Sequence, residues 1–406
     1  MDAQVAVVGA GPYGLSVAAH LLHRGIETAV FGRPLDTWAH HMPAGMLLKS
    51  DGFASSLDAP VAGWRLGDYC RDHGIPYGGR EQRVALDDFV GYGMAFQQAL
   101  VPGLDTRLVT RLRPVPGGFT LTLDDGAEQS ARRVVVAVGV THFAVVPHQL
   151  DGLGEHASHS GAHRHVDRFA GQRVAVLGAG SSAVEVAAAL LGIGAEVHLV
   201  TRRPELPFWG RPADRDPSWR ERLRNPSSGL GPGWRQKACE DLPDAFRLLP
   251  TDVRLRAVEN FLGPVSGWWL KDEVLGHADV VTRAELRGAT LADDEVTLDL
   301  TCAGTGDRRL VVDHVIAATG YRGDLDRIPF LDAGIRSATR RVGPMPELSG
   351  SFESSVPGLF YTGPVAAGSF GPLMRFMVGA ELAAPRIARR LRRAGRRVPI
   401  TAAGPA

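Results

Sequence analysis

Two stretches of the chain share one pattern of apolar, small and polar positions. Residues 5–22, "VAVVGAGPYGLSVAAHLL", run from an apolar segment through a glycine-rich turn into a segment with helical spacing. Residues 174–191, "VAVLGAGSSAVEVAAALL", repeat this order. A continuous apolar run predicts a strand buried on both faces of a parallel sheet, and "IETAVFG" and "AEVHLV" supply the next strand in each case. The sequence therefore predicts two strand–helix–strand units.

The first unit has the spacing of a dinucleotide-binding turn. Gly9, Gly11 and Gly14 fit the pattern G-x-G-x-x-G, in which the first glycine makes the tight turn. The second lets the backbone approach a pyrophosphate, and the third lets the helix pack on the strand. We predict a helix over Leu15–Arg24, with the free N–H groups of its N-terminus facing the pyrophosphate. The predicted cofactor contacts of this unit are Gly9, Gly11, Pro12, Tyr13 and Gly14.

The second unit has the permitted variant G-x-G-x-x-A, and the residues after its second strand indicate the ligand. Arg202 and Arg203 stand where a site for NAD carries an acid for the ribose 2′-hydroxyl. Paired guanidinium groups suit a 2′-phosphate, which predicts NADPH, whereas the alternative is a pair of solvated surface arginines. The predicted contacts are Gly178, Gly180, Ser181, Ser182, Arg202 and Arg203.

The first unit departs from the usual pattern after its second strand. Gly32 and Arg33 stand where a site for FAD or NAD carries a glutamate, so the partner of the first ribose stays unassigned. Two later segments, 119–140 and 296–321, alternate as hairpins and then run into a buried strand that ends near a glycine. We interpret each of them as the return leg of a nucleotide-binding domain.

Four motifs spread over nearly the whole chain carry a resemblance to a known family. In order they are "GAGPYG", "HSGAHRHVDRFAGQRVAVLGAGSSAVEVA", "ATGY" at 318–321 and "GLFYTGP" at 358–364. The sequence resembles the two-dinucleotide (class B) flavin-dependent monooxygenases, which include the N-oxygenating flavin monooxygenases, the Baeyer–Villiger enzymes and the ornithine/lysine N-hydroxylases. His163 stands where the family usually has an aromatic residue. Leu153 and Glu155 miss the Baeyer–Villiger fingerprint, which counts against ketone oxygenation.

The resemblance implies an α/β fold with two Rossmann-like domains, one for FAD and one for NADPH, the second inserted in the first. We expect the FAD domain in residues 1–150 and 313–406, and the NADPH domain in residues 151–312. An insertion at 204–275 contains many prolines and most of the tryptophans of the chain. It is either a small satellite core of helices and loops or a wall over the nicotinamide and the substrate.

The resemblance also implies contacts with FAD beyond the first glycine turn. Pro372 suits the first turn of a helix. In this fold class the last helix directs its N-terminus at the flavin pyrimidine edge, where the helix dipole stabilises negative charge. The alternative is an ordinary helix start. The further expected contacts are Trp38, Gly139, Thr319, Gly320, Gly363, Gly371 and Pro372.

Segment 38–57 follows the first unit, and the resemblance places it beside the flavin ring. In the similar N-hydroxylases a lysine there contacts the carboxylate of the amino-acid substrate, and Lys49 is the matching position. Because arginine is the usual cation of this chain, a lysine at position 49 favours a specific role. The alternative is that Lys49 is an ordinary surface residue. Lys49 and Ser50 are the expected catalytic-site residues, with His40 and His41 as weaker candidates.

Composition narrows the function classes. A net charge of +1 gives no basic field for nucleic acid, and no apolar run approaches the length of a membrane span. Cys70, Cys239 and Cys302 form no C-x-x-C pair, which excludes a local redox dithiol and favours a reducing compartment. Because Gly9 already belongs to the first motif, we expect a cytoplasmic protein without a signal peptide. No metal-ligand cluster is visible in the sequence, and a homo-oligomer is allowed.

These observations predict an FAD- and NADPH-dependent monooxygenase that uses O2 and a C4a-hydroperoxyflavin to oxygenate a small substrate, preferably the nitrogen of an amine or amino acid. Baeyer–Villiger or sulfur oxygenation is the nearest alternative. A third possibility is a flavin reductase of the thioredoxin-reductase type, and the missing C-x-x-C motif argues against this activity. A fourth possibility is a protein that binds nucleotides without turnover, and only the missing acid at Gly32 favours it.

Overall fold

Strands in two main sheets form the framework of the protein. The computed structural model describes residues 2–78, 83–211, 218–263 and 265–395. In chain order the strands there are β1 (Ala3–Val8), β2 (Thr28–Phe31), β3 (Leu104–Asp105), β4 (Val109–Val115), β5 (Gly118–Leu123), β6 (Glu128–Val136), β7 (Ala157–His159), β8 (Arg173–Leu177), β9 (Glu196–Val200), β10 (Asp279–Val281), β11 (Ala284–Ala292), β12 (Glu295–Cys302), β13 (Gly306–Val312), β14 (His314–Ala317), β15 (Arg341–Val342), β16 (Met345–Pro346) and β17 (Leu359–Tyr361).

Helices connect the strands and cover the sheets. In chain order they are α1 (Pro12–His23), α2 (Asp36–His40), α3 (Leu66–Asp72), α4 (Leu86–Leu100), α5 (Ser181–Gly192), α6 (Trp219–Arg224), α7 (Trp234–Asp241), α8 (Pro243–Phe246), α9 (Thr251–Asn260), α10 (Lys271–Leu275), α11 (Ala333–Ala338), α12 (Ala367–Phe370) and α13 (Ala380–Gly395). Short 3-10 turns lie between several of these elements.

The first sheet has the strand order β3-β2-β1-β6-β5-β4. β1 pairs in parallel with β2 and β6, and the antiparallel hairpin β4–β5 extends the sheet beyond β6. β17, from the C-terminal part of the chain, also pairs in parallel with β6, and α13 packs against α1. The C-terminal segment therefore completes the layer that the N-terminal segment begins.

The second sheet is entirely parallel, in the order β10-β9-β8-β14-β7. Strands β11, β12 and β13 form an antiparallel sheet of their own, which packs against the second sheet. β14 lies between β8 and β7, although the expected boundary assigned every residue from 313 onward to the first domain. We propose that the chain returns to the first domain after β14.

Separate apolar cores support the two units. Val5–Val8 in β1 and Val134–Val136 in β6 are at most 5% exposed, because strands in the middle of a covered parallel sheet are buried on both faces. The apolar face of α5 packs on β8 and β9 in the same way. The predicted α/β fold with two Rossmann-like units is confirmed.

The insertion at 204–275 contains α6 to α10 and reaches back to the first domain. The guanidinium of Arg254 donates to the carbonyl of Gly368 at 3.3 Å, and Arg375 donates to the carbonyl of Val258 at 2.9 Å. These contacts tie the insertion to the segment before α13, so it bridges the two units and is not a separate satellite core. Three of its tryptophans, Trp209, Trp219 and Trp234, are exposed.

Candidate functional site

The first glycine turn joins β1 to α1 and is shaped by close backbone contacts. Gly9 has a φ of +111°, and a Cβ there would lie 2.3 Å from the carbonyl oxygen of Ala137. A Cβ on Gly14 would lie 1.8 Å from the carbonyl oxygen of Gly9, so both positions exclude a side chain. At Gly11 the nearest atom to such a Cβ is Trp38 Cζ3, 3.9 Å away. Gly9 and Gly14 therefore serve packing, whereas Gly11 leaves approachable backbone beside Trp38.

No side chain caps the N-terminus of α1. The helix begins at Pro12, earlier than the predicted start at Leu15, because a proline at the first helical position lacks the N–H that would stay unpaired there. The N–H groups of the first turn thus have no side-chain acceptor. Free N–H groups together with the positive end of the helix dipole make this a suitable place for a pyrophosphate.

Tyr13 connects the first turn with the C-terminal segment. Its hydroxyl donates to the carbonyl of Phe376 at 2.7 Å, and the carbonyl of Met374 lies 3.1 Å away. A Cβ on Gly363, which has a φ of +75°, would lie 3.5 Å from the Tyr13 ring. Burial raises the pKa of the phenol, which stays protonated and donating. Tyr13 and Gly363 therefore come together beside the turn, and Tyr13 acts there as a positioning residue.

Trp38 and Gly139 also lie beside the first turn. The Trp38 ring packs at a tilt against Phe89, with ring centroids 5.6 Å apart, and its backbone carbonyl accepts from Arg164 at 3.1 Å. Gly139 has a φ of +65°, and a Cβ on it would lie 3.7 Å from Thr37 Oγ1. Trp38 and Gly139 thus line the same surface as the first glycine turn.

Pro372 begins a short 3-10 turn, as its place in a first helical turn predicted, but it does not begin the last helix, so that part of the prediction is wrong. The predicted contacts of Gly371 and Pro372 with FAD stay predictions. Residues 372–375 form a 3-10 turn of 4 residues, and the last helix begins at Ala380. Gly371 has a φ of +82° and faces the insertion, since a Cβ there would lie 3.1 Å from the Phe246 ring. So short a turn has almost no dipole. The 3-10 turn at residues 372–375 therefore does not provide the expected stabilisation of negative charge on the flavin.

The position after β2 has no acid, and the backbone explains why. Gly32 has a φ of +125°, and a Cβ there would lie 3.4 Å from the amide nitrogen of Ala10, tight against the glycine turn. Arg33 is exposed and makes no hydrogen bond or ion pair to a described residue. At the end of β3, Asp105 already binds Arg107 with both carboxylate oxygens, which lowers the pKa of Asp105.

The second glycine turn joins β8 to α5 in the same way. Gly178 has a φ of +149°, and a Cβ there would lie 2.4 Å from the carbonyl oxygen of Ala318. The methyl group of Ala183 lies 3.3 Å from that point, so the third motif residue packs directly on the first. Gly180 precedes α5 without a side-chain cap, and Ser181 and Ser182 form its first turn. This turn also suits a pyrophosphate.

Arg202 and Arg203 follow β9 and are exposed. The hydroxyl of Thr201 accepts a hydrogen bond from the backbone N–H of Arg203 at 3.1 Å. This contact fixes the backbone of the two arginines at the end of β9. Neither guanidinium forms a hydrogen bond or an ion pair with any residue that the structure describes. A Cβ on Gly263 would lie 3.6 Å from Arg203 Nη2, so this guanidinium lies next to the insertion. Both cations remain available for an anion.

Thr319 and Gly320 follow β14 and bind a neighbouring segment. The hydroxyl of Thr319 donates to the carbonyl of Val145, and the carbonyl of Gly320 accepts the N–H of Val145 at 2.9 Å. His159 Nε2 lies 3.3 Å from the same carbonyl of Gly320. These predicted cofactor residues thus bind the segment around Val145, where the chain passes from the first domain to the second, through their hydroxyl and backbone groups.

His40 and His41 have partners that explain them structurally. His40 Nδ1 lies 2.8 Å from one oxygen of Asp36, and His41 Nε2 lies 3.3 Å from the other. His41 Nδ1 lies 2.7 Å from the carbonyl oxygen of Gly161, which belongs to the crossing between the domains. The pair therefore supports the loop after α2.

Lys49 lies where the first domain meets α5 and the insertion, a place that we call the junction. Its Nζ is 3.5 Å from the carbonyl oxygen of Val265. Arg83 donates to the backbone carbonyl of Lys49 at 2.7 Å and to Asp51 Oδ1 at 3.2 Å, and its guanidinium lies 5.3 Å from the centre of the Trp269 ring. Burial lowers the pKa of Lys49. Lys49 is half-buried, so it is not fully solvated, and its role stays a prediction.

Glu185 is the residue at the junction that sequence reasoning missed. It lies on α5, is 6% exposed, and its Oε1 has no hydrogen-bond partner among the described residues. Burial raises its pKa to about 7, and the charge of Lys49 opposes that shift. The available signal was an acid inside the apolar run "AVEVAAALL". Ser50, by contrast, is half-buried and makes no hydrogen bond within the described ranges.

Some of the buried polar atoms without a partner among the described residues belong to the segments that meet at the junction. Within the described part of the chain they include Arg83 Nε, Glu185 Oε1, Ser266 Oγ and Trp268 Nε1. Ser266 is 0% exposed and is held by a backbone bridge to Phe208. Each such atom costs about 1–3 kcal/mol if it stays unpaired, so native structures normally supply a partner. The arrangement suits a polar ligand.

The described residues offer little for metal or thiol chemistry. No group of three or more potential metal ligands occurs among them. Cys70, Cys239 and Cys302 are free thiols. None of the helices in the described ranges has both the length and the apolar character needed to cross a bilayer.

Two glycine turns, each between a buried strand and an uncapped helix, define the class of a two-dinucleotide oxidoreductase. Residues 3–219 match the family model described as pyridine nucleotide-disulphide oxidoreductase. Because the match covers more than half of the chain, the protein belongs to this family. The predicted class of oxidoreductase is confirmed.

Solved structures share the fold over nearly the whole chain. DfoA, the cadaverine monooxygenase of Erwinia amylovora, aligns with a TM-score of 0.76 over 100% of this chain and 99% of that chain, at 17% identity. KtzI, the ornithine N-hydroxylase of Kutzneria sp. 744, aligns with a TM-score of 0.72 over 97% of this chain and 100% of that chain, also at 17% identity. The expected fold of the two-dinucleotide flavin monooxygenases is therefore confirmed.

Curated relatives match only part of the chain. A ferredoxin–NADP reductase of Acidiphilium cryptum is 30% identical over 186 residues, which are 42% of this chain and 54% of that protein. The indole-3-pyruvate monooxygenase YUCCA1 of Oryza sativa subsp. japonica is 29% identical over 208 residues, 48% of this chain and 47% of that protein. The chain thus spans about half the length of these relatives.

Proposed function

We propose that the protein is an FAD- and NADPH-dependent monooxygenase that hydroxylates a nitrogen of a small amine or amino acid. The observation that carries this proposal is the half-buried ammonium of Lys49, which lies 3.5 Å from the carbonyl oxygen of Val265 in the insertion. A cation that is partly withdrawn from water is stabilised when an anion pairs with it, so Lys49 suits the carboxylate of a substrate. The fold is shared with a cadaverine monooxygenase and an ornithine N-hydroxylase, which supports the reaction class.

The residues of both turns fit the two cofactors. Gly11 and the uncapped α1 suit the pyrophosphate of FAD, and DfoA is described as bound to FAD. Gly180 and the unpartnered Arg202 and Arg203 suit NADPH, since a 2′-phosphate takes charge-assisted hydrogen bonds from guanidinium groups. The KtzI structure contains NADP+. We assign FAD to the first turn and NADPH to the second.

The residues of the chain bind, orient and shield the reactants. Bound flavin, once reduced by NADPH, supplies the electrons that activate O2. Lys49 holds the carboxylate of the substrate, and Arg83 fixes the backbone of Lys49. The insertion, anchored by Arg254 and Arg375, covers the junction and keeps water away from the reaction.

Purified holoprotein tests this proposal. NADPH should bleach the flavin absorbance when O2 is absent. After air is readmitted, L-lysine, L-ornithine or cadaverine should accelerate NADPH oxidation and yield a hydroxylamine, measured by mass spectrometry. If NADPH oxidation produces only hydrogen peroxide with every amine and amino acid tried, the proposal is wrong.

A reductase that passes electrons from NADPH to a protein acceptor is the second candidate. The similarity to the ferredoxin–NADP reductase of Acidiphilium cryptum favours it, and such an enzyme needs no C-x-x-C motif. Fast reduction of a ferredoxin, combined with amine-independent NADPH oxidation in air, would select this candidate. A reductase of this kind does not, however, explain the charged side chains of Lys49 and Glu185 at the junction.

A further inference from the structure

Strand β6 changes its pairing partner halfway along its length, and a cleft opens at that point. Pairing with β5 extends along β6 as far as Ala131, and pairing with β17 begins at Val134. Arg132 and Arg133 lie between these two positions. The cleft beside them, which we call the arginine cleft, has a volume of about 520 Å³. A space of this size admits a small organic molecule.

Three parts of the first domain form the walls of the arginine cleft. The β4–β5 hairpin contributes Val115 and Phe119, the segment before β17 contributes Pro357, and α13 contributes a charged side chain. Gly358 has a φ of +81°, and a Cβ there would lie 3.3 Å from the carbonyl oxygen of Arg132. Glycine therefore lets the segment before β17 come close to β6. Part of the wall is apolar and suits the apolar body of a ligand.

The charges that line the arginine cleft are mainly positive. Among the described residues they are three arginines and one glutamate, namely Arg132, Arg133, Arg390 and Glu353. Both carboxylate oxygens of Glu353 are already engaged, because Oε1 accepts from the N–H of Gly358 at 3.1 Å and Oε2 accepts from Arg390 at 2.9 Å. The guanidinium groups of Arg132 and Arg133 form no hydrogen bond or ion pair with any residue that the structure describes. An excess of two positive charges thus faces the cleft.

Arg132 and Arg133 approach the arginine cleft from different directions. Successive side chains of a strand point to opposite faces of the sheet, and both of these side chains line the cleft. Burial lowers the pKa of Arg133, the charge of Glu353 opposes this shift, and the charges of Arg132 and Arg390 add to it. An anion would relieve this repulsion. A phosphate monoester has oxygens in several directions and a charge of about −1.5 to −2 at pH 7, which matches the excess positive charge.

We propose that the arginine cleft binds the phosphate group of a small phosphate monoester, at a site separate from both glycine turns. Arg133 lies beside Val5 in register, three residues before the end of β1 at Val8, so the cleft is roughly 10 Å from the edge where the first glycine turn begins. It also lies on the side of β6 that faces away from β1. The proposal does not depend on the reaction that the protein catalyses.

Three probes separate the features of the ligand. Phenyl phosphate carries a phosphate and an apolar body, inorganic phosphate lacks the body, and benzoate carries a single negative charge. Binding is measured by calorimetry at constant ionic strength on the FAD-loaded protein with NADP+ in excess, so that the proposed cofactor sites are occupied. The wild type should bind phenyl phosphate most tightly and benzoate most weakly.

The variants should change the affinity in opposite directions. Arg132→Gln/Arg133→Gln should raise the dissociation constant of phenyl phosphate roughly 10- to 100-fold. Arg132→Gln alone, at an exposed position, leaves the packing of Arg133 intact and should raise it roughly 2- to 5-fold. Glu353→Gln removes a negative charge from the cleft and should lower it by a similar factor. The control Arg308→Gln/Arg309→Gln removes two adjacent exposed arginines from β13 and should bind like the wild type.

Several outcomes would overturn the proposal. Absence of phenyl phosphate binding at millimolar concentration contradicts it, as does equal binding by the wild type and Arg132→Gln/Arg133→Gln. Benzoate binding as tight as that of phenyl phosphate would rule out a phosphate site. If only Arg202→Ala/Arg203→Ala abolishes binding, the phosphate occupies the nucleotide site instead. Sedimentation of the protein with vesicles that contain phosphatidic acid, without binding of phenyl phosphate, would assign the cleft to a lipid head group. Circular dichroism and flavin absorbance verify that each variant is folded.

Discussion

At the residue scale, the proposed substrate contact is the half-buried ammonium of Lys49. Burial lowers its pKa because the charged form loses its hydration, so binding of an anion should stabilise it. Lys49→Ala should raise the KM for the preferred amino acid roughly 10- to 100-fold, because one charge-assisted hydrogen bond to the substrate is removed. FAD content and the rate of flavin reduction by NADPH should barely change. Steady-state kinetics and stopped-flow absorbance measure the two effects.

The matched control for this variant is Lys271→Ala, since Lys271 is an exposed lysine on α10, within the insertion. It should behave like the wild type. Normal flavin loading without flavin reduction in Lys49→Ala would assign Lys49 to the flavin or nicotinamide instead. An unchanged KM would remove the amino-acid hypothesis along with the role of Lys49.

We propose that Arg202 and Arg203 decide which nicotinamide cofactor binds. Both guanidinium groups are exposed and have no partner within the described part of the chain, so they can meet a 2′-phosphate. Replacing both with alanine should weaken NADPH binding by about 1.5–3 kcal/mol for each charge-assisted hydrogen bond to that phosphate. NADH lacks the phosphate and should be much less affected. Titration of the two cofactors against both proteins checks this, and equal weakening of both cofactors would defeat the assignment.

The glycines of the first turn should separate folding from cofactor binding. Gly14→Ala puts a Cβ 1.8 Å from the carbonyl oxygen of Gly9, so the turn must shift and the protein should be strongly destabilised. Gly11→Ala meets nothing closer than 3.9 Å and should fold normally, but its methyl group should block the approach of the pyrophosphate. Thermal unfolding and flavin content distinguish the two variants. A fully flavinated Gly11→Ala protein would show that FAD binds elsewhere.

At the element scale, buried histidines hold β7 against β14. Ser158 Oγ in β7 lies 2.7 Å from His163 Nε2 and 2.7 Å from His314 Nε2. Burial lowers the pKa of His163 to about 4 and that of His314 to about 3, from 6.5, and the charge of Arg168 adds to both shifts. The unfolded chain therefore binds these protons at a higher pH than the folded protein does.

This linkage fixes the sign of a pH effect on stability. The contribution of His163 and His314 should be fully present above about pH 6.5 and fall as the pH drops toward about 4, by up to about 1.4 kcal/mol per pH unit for each histidine. Urea unfolding over this range measures the slope. The double variant His163→Gln/His314→Gln should show a shallower slope. Identical slopes for both proteins would refute the linkage.

Local sequence rules predicted the elements whose contacts are local. The strand, turn and helix around Gly9 and Gly178 follow from apolar runs and from glycines that only close backbone contacts can explain. The hairpins at β5–β6 and β12–β13 follow from alternation and turn residues. These features need no knowledge of the rest of the chain.

Long-range contacts explain what the sequence did not reveal. Pro372 has the sequence pattern of a helix start. In the structure, however, the carbonyl of Phe376 accepts a hydrogen bond from the hydroxyl of Tyr13, which lies near the other end of the chain. In a continuous helix that carbonyl would accept from a backbone N–H of the next turn. Glu185 occupies a helix face that otherwise has the pattern of an apolar core, and the charge of Lys49, which acts on it, comes from a distant part of the chain. Neither partner is adjacent in sequence, so no local pattern could identify them.

At the scale of the whole molecule, the insertion connects the two domains. It leaves the second domain after β9 and packs on the segment before α13 through Arg254 and Arg375. The junction is therefore built from three parts of the chain, namely the loop around Lys49, α5 and the insertion. The expected cytoplasmic location and self-association stay predictions.

We propose that the protein transfers one oxygen atom of O2 to a nitrogen of its substrate. Turnover of the holoenzyme with NADPH and L-lysine under isotopically labelled O2, followed by mass spectrometry of the product, tests this transfer. We expect a hydroxylamine that carries the heavy oxygen, formed in proportion to the NADPH oxidised. NADPH oxidation without a labelled organic product, or a product whose oxygen comes from water, would contradict it.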